Sequence, residues 1–351
     1  MSEHNNARRE FANLDLLRSV AVLSVFFSHL HDIVTHRGGE VAWHFGQMGV
    51  LIFFVHTSLV LMESMDRLAI KGRAFYSTFY VRRWFRIYPL SIFSVLSVYA
   101  FNIAPGVDQV ARNWNLKELL ANLSLTQNLF YKDSMLGVLW TLPLEVQMYI
   151  VLPFLFVIFR NRPLAWLFAL WVATIPIALV QPRISGRLEV VGFVPCFLGG
   201  VLAWRISKMV KPKLPGWLWP LGFAAVCPVW MVASRQYNML YRWAFCLVLG
   251  CTIPWFRQID WNWLTVPAKL VARYSYGIYL SHIALMMLCF RGLAWQSTAA
   301  VWLAFVVLAV GTPVAMYHLL EHPMIAVGRK LTARRSARAF AIGPIAQEKA
   351  L

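Results

Sequence analysis

Apolar stretches recur along the whole chain and are separated by short polar segments. A helix that crosses a bilayer needs about 20 consecutive, mostly apolar residues. Stretches of roughly that length lie near residues 14–34, 45–64, 87–104, 137–159, 163–181, 190–206, 216–234, 240–256, 274–290 and 298–319. The pattern therefore predicts an all-α, polytopic membrane protein with about ten transmembrane helices.

The composition supports this class and excludes a soluble domain. Hydrophobic residues make up 59% of the 351 residues and charged residues only 14%, against about 45–50% and about 25% in soluble domains. Arg8 and Arg9 precede the first apolar stretch as they would in a signal peptide, but Asp15 and Arg18 interrupt that stretch. Since no small-residue cleavage site follows, we predict a retained first helix.

The basic residues are unevenly distributed between the two sets of loops. Lys and Arg collect in the N-terminal segment, in alternate loops and in the C-terminal segment, where they are more than twice as numerous as in the opposite loops. Such residues accumulate on the cytoplasmic side, and an even number of helices puts both ends on one side. Both termini are therefore predicted to be cytoplasmic, in a multi-pass protein of the cell inner membrane.

The same asymmetry accounts for the formal net charge of +18. Basic loops beside anionic lipid headgroups produce such an excess, so the expected partners include membrane lipids and no nucleic acid. The five cysteines lie in or beside apolar stretches without Cys-x-x-Cys pairs, which predicts neither a metal site nor a disulfide framework. Residues 1–327 are predicted to form the transmembrane domain, and residues 328–351 a basic cytoplasmic tail.

Two ionisable residues interrupt the first apolar stretch in a regular way. Arg18 and His29 are eleven positions apart, so on an α-helix both side chains point to about the same side, about 16 Å apart along the axis. A cation and an imidazole inside a bilayer are costly unless they face a protein interior or a cavity. This side of the first helix is therefore predicted to belong to a functional site.

A basic and aromatic segment, residues 79–89, forms a predicted cytoplasmic loop before the third apolar stretch. If the segment is helical, Arg82 and Arg83 lie four and three positions before Arg86, and the three guanidinium groups cluster on one side. Such a cluster is suited to bidentate binding of phosphate groups. The alternative is a juxtamembrane patch that contacts lipid phosphates.

The fourth apolar stretch contains a carboxylate, Glu145, a few residues inside its start. A lone carboxylate in the membrane must pair with a cation, become protonated or line a wet cavity. Glu145 is therefore a candidate to accept a proton from His29 or to pair with Arg18, and a purely structural ion pair is the alternative. Pro143 is expected to kink this helix and to open room for a substrate.

These residues resemble the signatures of the acyltransferase-3 family of integral membrane O-acyltransferases, and the resemblance covers nearly the whole chain. The first helix is similar to the family's arginine, ten intervening residues and histidine, here Arg18 and His29. The arginines before Ile87 resemble its basic loop. Matching segments follow in the family's order at residues 14–21, 49–55, 140–145, 197–200, 275–282 and 321–323.

The chain departs from the family pattern in two places. Leu16 and Ser19 stand where the family usually has glycines, and residues 57–59 are Thr-Ser-Leu where it has Ser-Gly-Phe. These departures bear on helix packing and leave the candidate catalytic positions intact. His282 and Glu321 fall within matching segments, and helix capping or interfacial hydrogen bonding is the expected role of both.

The resemblance implies acyl transfer from a cytoplasmic acyl coenzyme A, most often acetyl coenzyme A, to a hydroxyl of a glycan or lipid-linked glycan. His29 is then the general base that deprotonates the hydroxyl, and Glu145 orients it. Arg18 binds a donor phosphate or stabilises charge on the thioester oxygen, while Arg82, Arg83 and Arg86 bind donor phosphates. The donor is a substrate, and no permanently bound cofactor is expected. The expected acceptor is a surface polysaccharide such as O-antigen or exopolysaccharide.

A transporter or lipid-linked glycan flippase is the main alternative, because many helices with buried charges also describe such proteins. Transporters often contain two related halves with broken helices, and no such halves are visible in this sequence. A non-catalytic scaffold has no need for Arg18 and His29 in the bilayer. The acyltransferase interpretation is therefore favoured.

Overall fold

The chain folds into a bundle of long helices. The computed structural model describes residues 12–35, 39–68, 70, 72–103, 113–233 and 239–341, with only the backbone for residues 334–341. Its α-helices are α1 Ala12–Thr35, α2 Glu40–Asp66, α3 Gly72–Phe101, α4 Leu116–Leu123, α5 Thr141–Phe159, α6 Leu164–Ile184, α7 Val190–Ser207, α8 Leu218–Ala233, α9 Met239–Thr252, α10 Asn262–Met286, α11 Thr298–Met316 and α12 His322–Ala341. Arg8, Arg9 and the tail beyond residue 341 lie outside the described residues.

Each of the ten predicted spans coincides with a helix, and the all-α polytopic fold is confirmed. Among the described residues, seven helical segments are long and apolar enough to cross a membrane: α1, α2, α3, α5 with the turn before it, α6, α7, and α11 continued into α12. Helices α8 and α9 are apolar but have only 16 and 14 residues, and α10 carries Lys269 and Arg273 in its first half. The number of membrane crossings therefore stays a prediction.

Helix α3 begins at Gly72, well before the start predicted near residue 87. Hydropathy misses these turns because their arginines lower the average. Arg nevertheless has a high helix propensity, and Phe75, Thr78 and Phe79 bury one side of the turns. The basic segment predicted as a loop is therefore helical, and its arginines sit on a rigid element.

Pro143 lies at the start of α5 and not in its interior. A short 3-10 helix, Gly137–Trp140, leads directly into α5, so Pro143 occupies the first turn. A missing N–H costs no intrahelical hydrogen bond there. The predicted kink at this proline is corrected accordingly, and Pro153 is the proline inside the helix.

Helices α1, α2, α7 and α10 form the centre of the bundle. Helix α2 packs against α1 and α7, and α10 packs against α1. At Gly49 of α2, a Cβ atom would lie 2.5 Å from the carbonyl oxygen of Ala21, so the close approach of α1 and α2 requires a glycine there. Helix α6 has similar hydropathy but buries only Leu167 and Ala178, and it lies at the periphery.

Two helices end in π-helical turns, which are rare and often occur at functional sites. Helix α10 continues as Met287–Gly292, and α11 continues as Tyr317–Glu321. Helix α12 follows directly and packs along α3, where a Cβ atom at Gly328 would lie 2.9 Å from Cβ of Phe85. The predicted domain boundary at residue 327 falls inside α12 and stays a prediction.

Candidate active site

Two adjoining cavities lie in the half of the bundle where α1 begins, which is the predicted cytoplasmic side. The deep cavity has a volume of about 90 Å³ and lies among α1, α2, α3, α5 and α10; the polar residues that line it include Arg18, Arg83, Arg86, Glu145, Tyr149 and Ser275. The second cavity, here called the vestibule, has a volume of about 590 Å³ and lies closer to the helix ends. Arg18 and His56 line both cavities, which are therefore contiguous.

Arg18 lies where the two cavities meet. Its Nε donates a hydrogen bond to Oγ of Ser275 at 2.6 Å. The Ser275 hydroxyl itself donates to the carbonyl oxygen of Ala272 at 2.8 Å, so its oxygen is available to accept from Arg18. These bonds join α1 to α10 and hold the guanidinium at the cavity wall.

Arg86 forms a buried salt bridge with Glu321 of the π-helical turn after α11. The Glu321 side chain is fully buried, and its second carboxylate oxygen has no hydrogen-bond partner among the described residues. These two residues are 235 positions apart, so only the fold brings them together. The capping role expected for Glu321 is replaced by this ion pair.

Arg83 lines the deep cavity one turn before Arg86. Its Nε is buried and has no hydrogen-bond partner within the described part of the chain. A buried N–H without a partner is costly, most of all on a charged group. Arg83 is therefore the cation of the deep cavity that is best placed to bind an added anion.

Arg82 points away from the other two arginines of its segment. Its Nε donates to Oγ1 of Thr332 on α12 at 3.0 Å, and its side chain lines the vestibule instead of the deep cavity. The predicted phosphate-binding trio is therefore divided between the two cavities.

Five cations from α1, α3, α10 and the end of α2 line the vestibule: Arg18, Arg67, Arg82, Lys269 and Arg273. It also contains Asp15 and Glu63, and Glu63 forms a salt bridge with Lys208 at 3.1 Å. In the sequence, Lys269 and Arg273 contribute to the bias of basic residues toward the predicted cytoplasmic side. Their spacing of four residues places them on one side of α10, and that signal identifies a shared site.

Glu145 lines the deep cavity together with Arg18. Its Oε2 accepts a hydrogen bond from the Tyr149 hydroxyl at 2.7 Å, and it interacts electrostatically with Arg18. Among the described residues, no hydrogen bond joins Glu145 to His29. The structure therefore brings Glu145 close to Arg18, and the predicted orientation of His29 by Glu145 has no contact to support it.

His29 lines neither cavity. Its ring faces His282 of α10, with ring centroids 5.4 Å apart, and it interacts electrostatically with Asp32 one turn further along α1. The two histidines, His29 and His282, are called here the histidine pair. The sequence predicts a functional His29, whereas for His282 it predicts only helix capping or interfacial hydrogen bonding.

Tyr279 lies between the deep cavity and the histidine pair. It lines the deep cavity, and its ring centroid is 6.1 Å from that of His282 and 5.9 Å from that of Phe53. Its hydroxyl is 2.7 Å from Oγ1 of Thr141 and donates to the carbonyl oxygen of Val138 at 2.9 Å. Tyr279 thus lies between the arginines of the deep cavity and the histidine pair.

The described residues include no cluster of three or more His, Cys, Asp or Glu side chains that could hold a metal ion. The five cysteines are all unpaired. The charged groups of the two cavities are therefore the candidates for ligand binding in this half of the bundle.

Comparisons with known proteins identify the family to which the chain is similar. A family model described as an acyltransferase domain, Acyl_transf_3, matches residues 11–318. The curated protein "Nodulation protein 10" of Rhizobium leguminosarum bv. viciae is 26% identical over 379 residues, which covers 95% of this chain and 98% of that protein. No solved structure gives a significant match.

Proposed function

The chain belongs to the acyltransferase-3 family, and from this membership we propose that it transfers an acetyl group from cytoplasmic acetyl coenzyme A to a hydroxyl of a surface polysaccharide. The family match covers the helices that carry both cavities and the histidine pair. We further propose that the protein lies in the inner membrane with both termini cytoplasmic, because the basic residues of the vestibule then face the compartment that contains the donor.

The observation that carries this proposal is the vestibule and the deep cavity that adjoins it. The donor has a polyanionic nucleotide end and a narrow arm that ends in a thioester. Five cations line the vestibule, and guanidinium and ammonium groups bind phosphates well. Beyond it, the deep cavity is small and lined partly by aromatic and aliphatic residues such as Phe53, Val60 and Tyr279, which suits the arm.

The proposed reaction proceeds at the histidine pair. His29 removes the proton of the acceptor hydroxyl, the oxygen forms a bond to the thioester carbonyl carbon, and the carbon–sulfur bond breaks. The leaving thiolate then takes the proton from His29. Since Tyr279 and Phe53 separate His29 from the deep cavity, the acyl end must pass these rings before it reacts.

The arginines of the deep cavity have separate roles in this scheme. Arg83, whose Nε has no partner among the described residues, binds a donor phosphate or carbonyl oxygen. Arg18 is held by Ser275 and binds a phosphate of the donor, because it lies about 16 Å from His29 along α1 and is therefore too far from the thioester that reacts there. Arg86 is already paired with Glu321, so its contribution is mainly to hold α3 against α11.

The saccharide nature of the acceptor rests on the family resemblance and on a pair of amide side chains, Asn128 of the predicted external loop and Gln147 on α5 between Glu145 and Tyr149. Nε2 of Gln147 donates to Oδ1 of Asn128 at 3.1 Å, and within the described residues Nδ2 of Asn128 and Oε1 of Gln147 lack partners. An amide donor and an amide acceptor side by side match the hydroxyl groups of a sugar. The similar protein is named for nodulation, and that name concerns the Rhizobium protein alone.

Purified protein in detergent tests the proposal. We expect the wild type to bind acetyl coenzyme A and to release the thiol slowly with water as acceptor. His29→Ala should keep binding and lose turnover, whereas Arg83→Ala should weaken binding. His318→Gln is the matched control, because His318 is exposed and its ring contacts the hydroxyl of Tyr274. If the wild type neither binds nor turns over the donor, the proposal fails and the transporter alternative takes its place.

A further inference from the structure

His282 is a buried histidine to which the proposed function assigns no task. It lies on α10 with only 2% of its surface exposed. Its ring is surrounded by the rings of Phe26, His29 and Tyr279, with centroids 6.0, 5.4 and 6.1 Å away.

The hydrogen bonds of His282 determine which ring nitrogen carries the proton. Nδ1 lies 2.9 Å from the carbonyl oxygen of Tyr279 and 3.1 Å from that of Ile278. A carbonyl oxygen only accepts, so Nδ1 must donate to these carbonyls. In a neutral imidazole the other nitrogen is then an acceptor. Nε2 of His282 therefore presents a lone pair.

That lone pair has no donor within the described part of the chain, although the Nε2 atom is buried. A buried acceptor without a partner is destabilising, so a donor close by is expected to bind it. Phe26 has no polar group. The Tyr279 hydroxyl already donates to the carbonyl oxygen of Val138. Of the three surrounding rings, His29 alone has an N–H that is not already engaged.

The distance between the two imidazole rings suits such a bond. Two imidazoles joined by an N–H···N hydrogen bond of about 2.9 Å have ring centres about 5 Å apart. The observed separation is 5.4 Å, with the planes inclined by 37°. A small rotation of either ring is enough to close the bond.

We propose that His282 is a positioning residue for His29: its Nε2 accepts a hydrogen bond from one ring N–H of His29 and so directs the other, unprotonated nitrogen of His29 toward the acceptor hydroxyl. The inference rests on the proposed role of His29 as general base. His282 neither gains nor loses a proton in the reaction. The proton passes from the hydroxyl to His29 and then to the leaving thiolate, and the lone pair of His282 stabilises the His29 cation between these steps.

Asp32 is the other group that faces His29. It interacts electrostatically with His29, and its Oδ1 lies 3.5 Å from Nδ1 of His31. It stands one turn beyond His29 on the same helix, whereas His282 approaches from the opposing helix α10. The two candidates are therefore separable by substitution.

The kinetic test compares His282→Leu, His282→Gln, Asp32→Asn and the control His318→Gln, with acetyl coenzyme A as donor and water as acceptor. His282→Leu should lower kcat by about 100-fold, as expected when a general base loses its orienting partner, with KM for acetyl coenzyme A unchanged. Gln places an acceptor oxygen near the position of Nε2, so His282→Gln should recover at least tenfold of the lost kcat. An unchanged kcat in His282→Leu, equal losses in the Leu and Gln variants, or a comparable loss in Asp32→Asn would each overturn the inference.

A second measurement does not depend on turnover. Diethyl pyrocarbonate modifies unprotonated imidazole nitrogens, and mass spectrometry of peptides gives the rate at His29. The hydrogen bond to His282 makes the free nitrogen of His29 more nucleophilic, so His282→Leu should slow modification of His29 about threefold to tenfold, with no change at His318. If donor turnover is absent in the wild type but this slowing is seen, the proposed function fails and the pairing stands. If His29 reacts equally fast in both proteins, the pairing is refuted.

Discussion

The two cavities and the histidine pair are built from the same helices but differ in almost every physical property. Helices α1 and α10 pass through both regions. Around the cavities they carry Arg18 and Arg273, and the space between helices is open and lined with charge. Around the histidine pair they carry His29 and His282, and the neighbours are aromatic rings. Under the proposed function, anion binding and proton transfer therefore take place at separate positions along one helix pair.

This separation has a physical reason. Phosphate groups are bound best where several cations converge and the chain can open to water. A proton is transferred best where water is excluded and the direction of each lone pair is fixed. Tyr279, fixed by Thr141 and Val138, keeps the two environments apart. Substitutions on the two sides should therefore have different kinetic signatures.

The largest effect is expected on the histidine side. His29→Ala should reduce kcat by about 10²–10⁴-fold, the usual contribution of a general base, while the dissociation constant for acetyl coenzyme A stays within twofold. His31→Ala is the control, because His31 is exposed on the same helix. Initial-rate assays measure kcat, and equilibrium binding of labelled donor measures the dissociation constant. A large change in binding would show that the two regions are not separate.

The next effect is expected at the salt bridge between Glu321 and Arg86, which lines the deep cavity. Glu321→Gln leaves the arginine without its counter-charge and should lower the free energy of unfolding by about 3 kcal/mol. The double variant Arg86→Met, Glu321→Met should recover most of that stability, because the buried pair is replaced by apolar groups. Thermal unfolding in detergent measures both. If the single and double variants are equally unstable, the ion pair is not the cause.

A smaller effect is expected in the vestibule and sharpens the comparison most directly. Lys269→Ala with Arg273→Ala should raise KM for acetyl coenzyme A about tenfold, at about 0.7 kcal/mol per cation, with kcat unchanged. S-acetyl-N-acetylcysteamine lacks the nucleotide, so its KM should not change. Lys211→Ala with Lys213→Ala is the matched control, because both lysines are exposed outside the vestibule. Equal changes for the two donors would argue against nucleotide binding there.

The smallest effect is expected at Arg82. It is bound to Thr332 and turned away from the deep cavity, so Arg82→Ala should raise KM for the donor no more than about threefold, as for a partly exposed ion pair. Arg83→Ala, one residue further on, should raise it by more. Measurement of the two KM values under the same conditions decides this. A stronger effect of Arg82→Ala would show that Arg82 binds the donor together with Arg83 and Arg86, as the sequence predicts.

Much of the fold follows from sequence reasoning, because a membrane helix needs about 20 apolar residues whatever its neighbours are. Errors arise where other forces decide. Helix α3 extends back to Gly72 because Phe75 and Phe79 are buried by packing, which hydropathy does not register. The apolar pattern predicts Pro143 inside a helix because the boundary between the 3-10 turn and α5 leaves no apolar signal.

The site is predictable only in part, for a different reason. Helical periodicity places Arg18 and His29 on one side of α1, but it does not show that Tyr279 of a distant helix stands between their surroundings. The pairing of Arg86 with Glu321 joins positions 235 residues apart, and a single sequence contains no signal for it. Periodicity does place Lys269 and Arg273 on one side of α10, so this part of the vestibule is predictable from the sequence.

The π-helical turn Tyr317–Glu321 has a consequence for how this chain tolerates length changes. A π-turn accommodates an additional residue compared with an α-turn. Loss of the codon for Leu319, whose side chain is 80% exposed, would therefore restore α-geometry and leave the orientation of α12 nearly unchanged. Loss of a codon at the start of α12, which is regular α-helix, would instead rotate all that follows by about 100°. Gly328 would then leave Phe85, and Thr332 would leave Arg82. A change of length is thus better tolerated in the π-turn than in the helix that follows it.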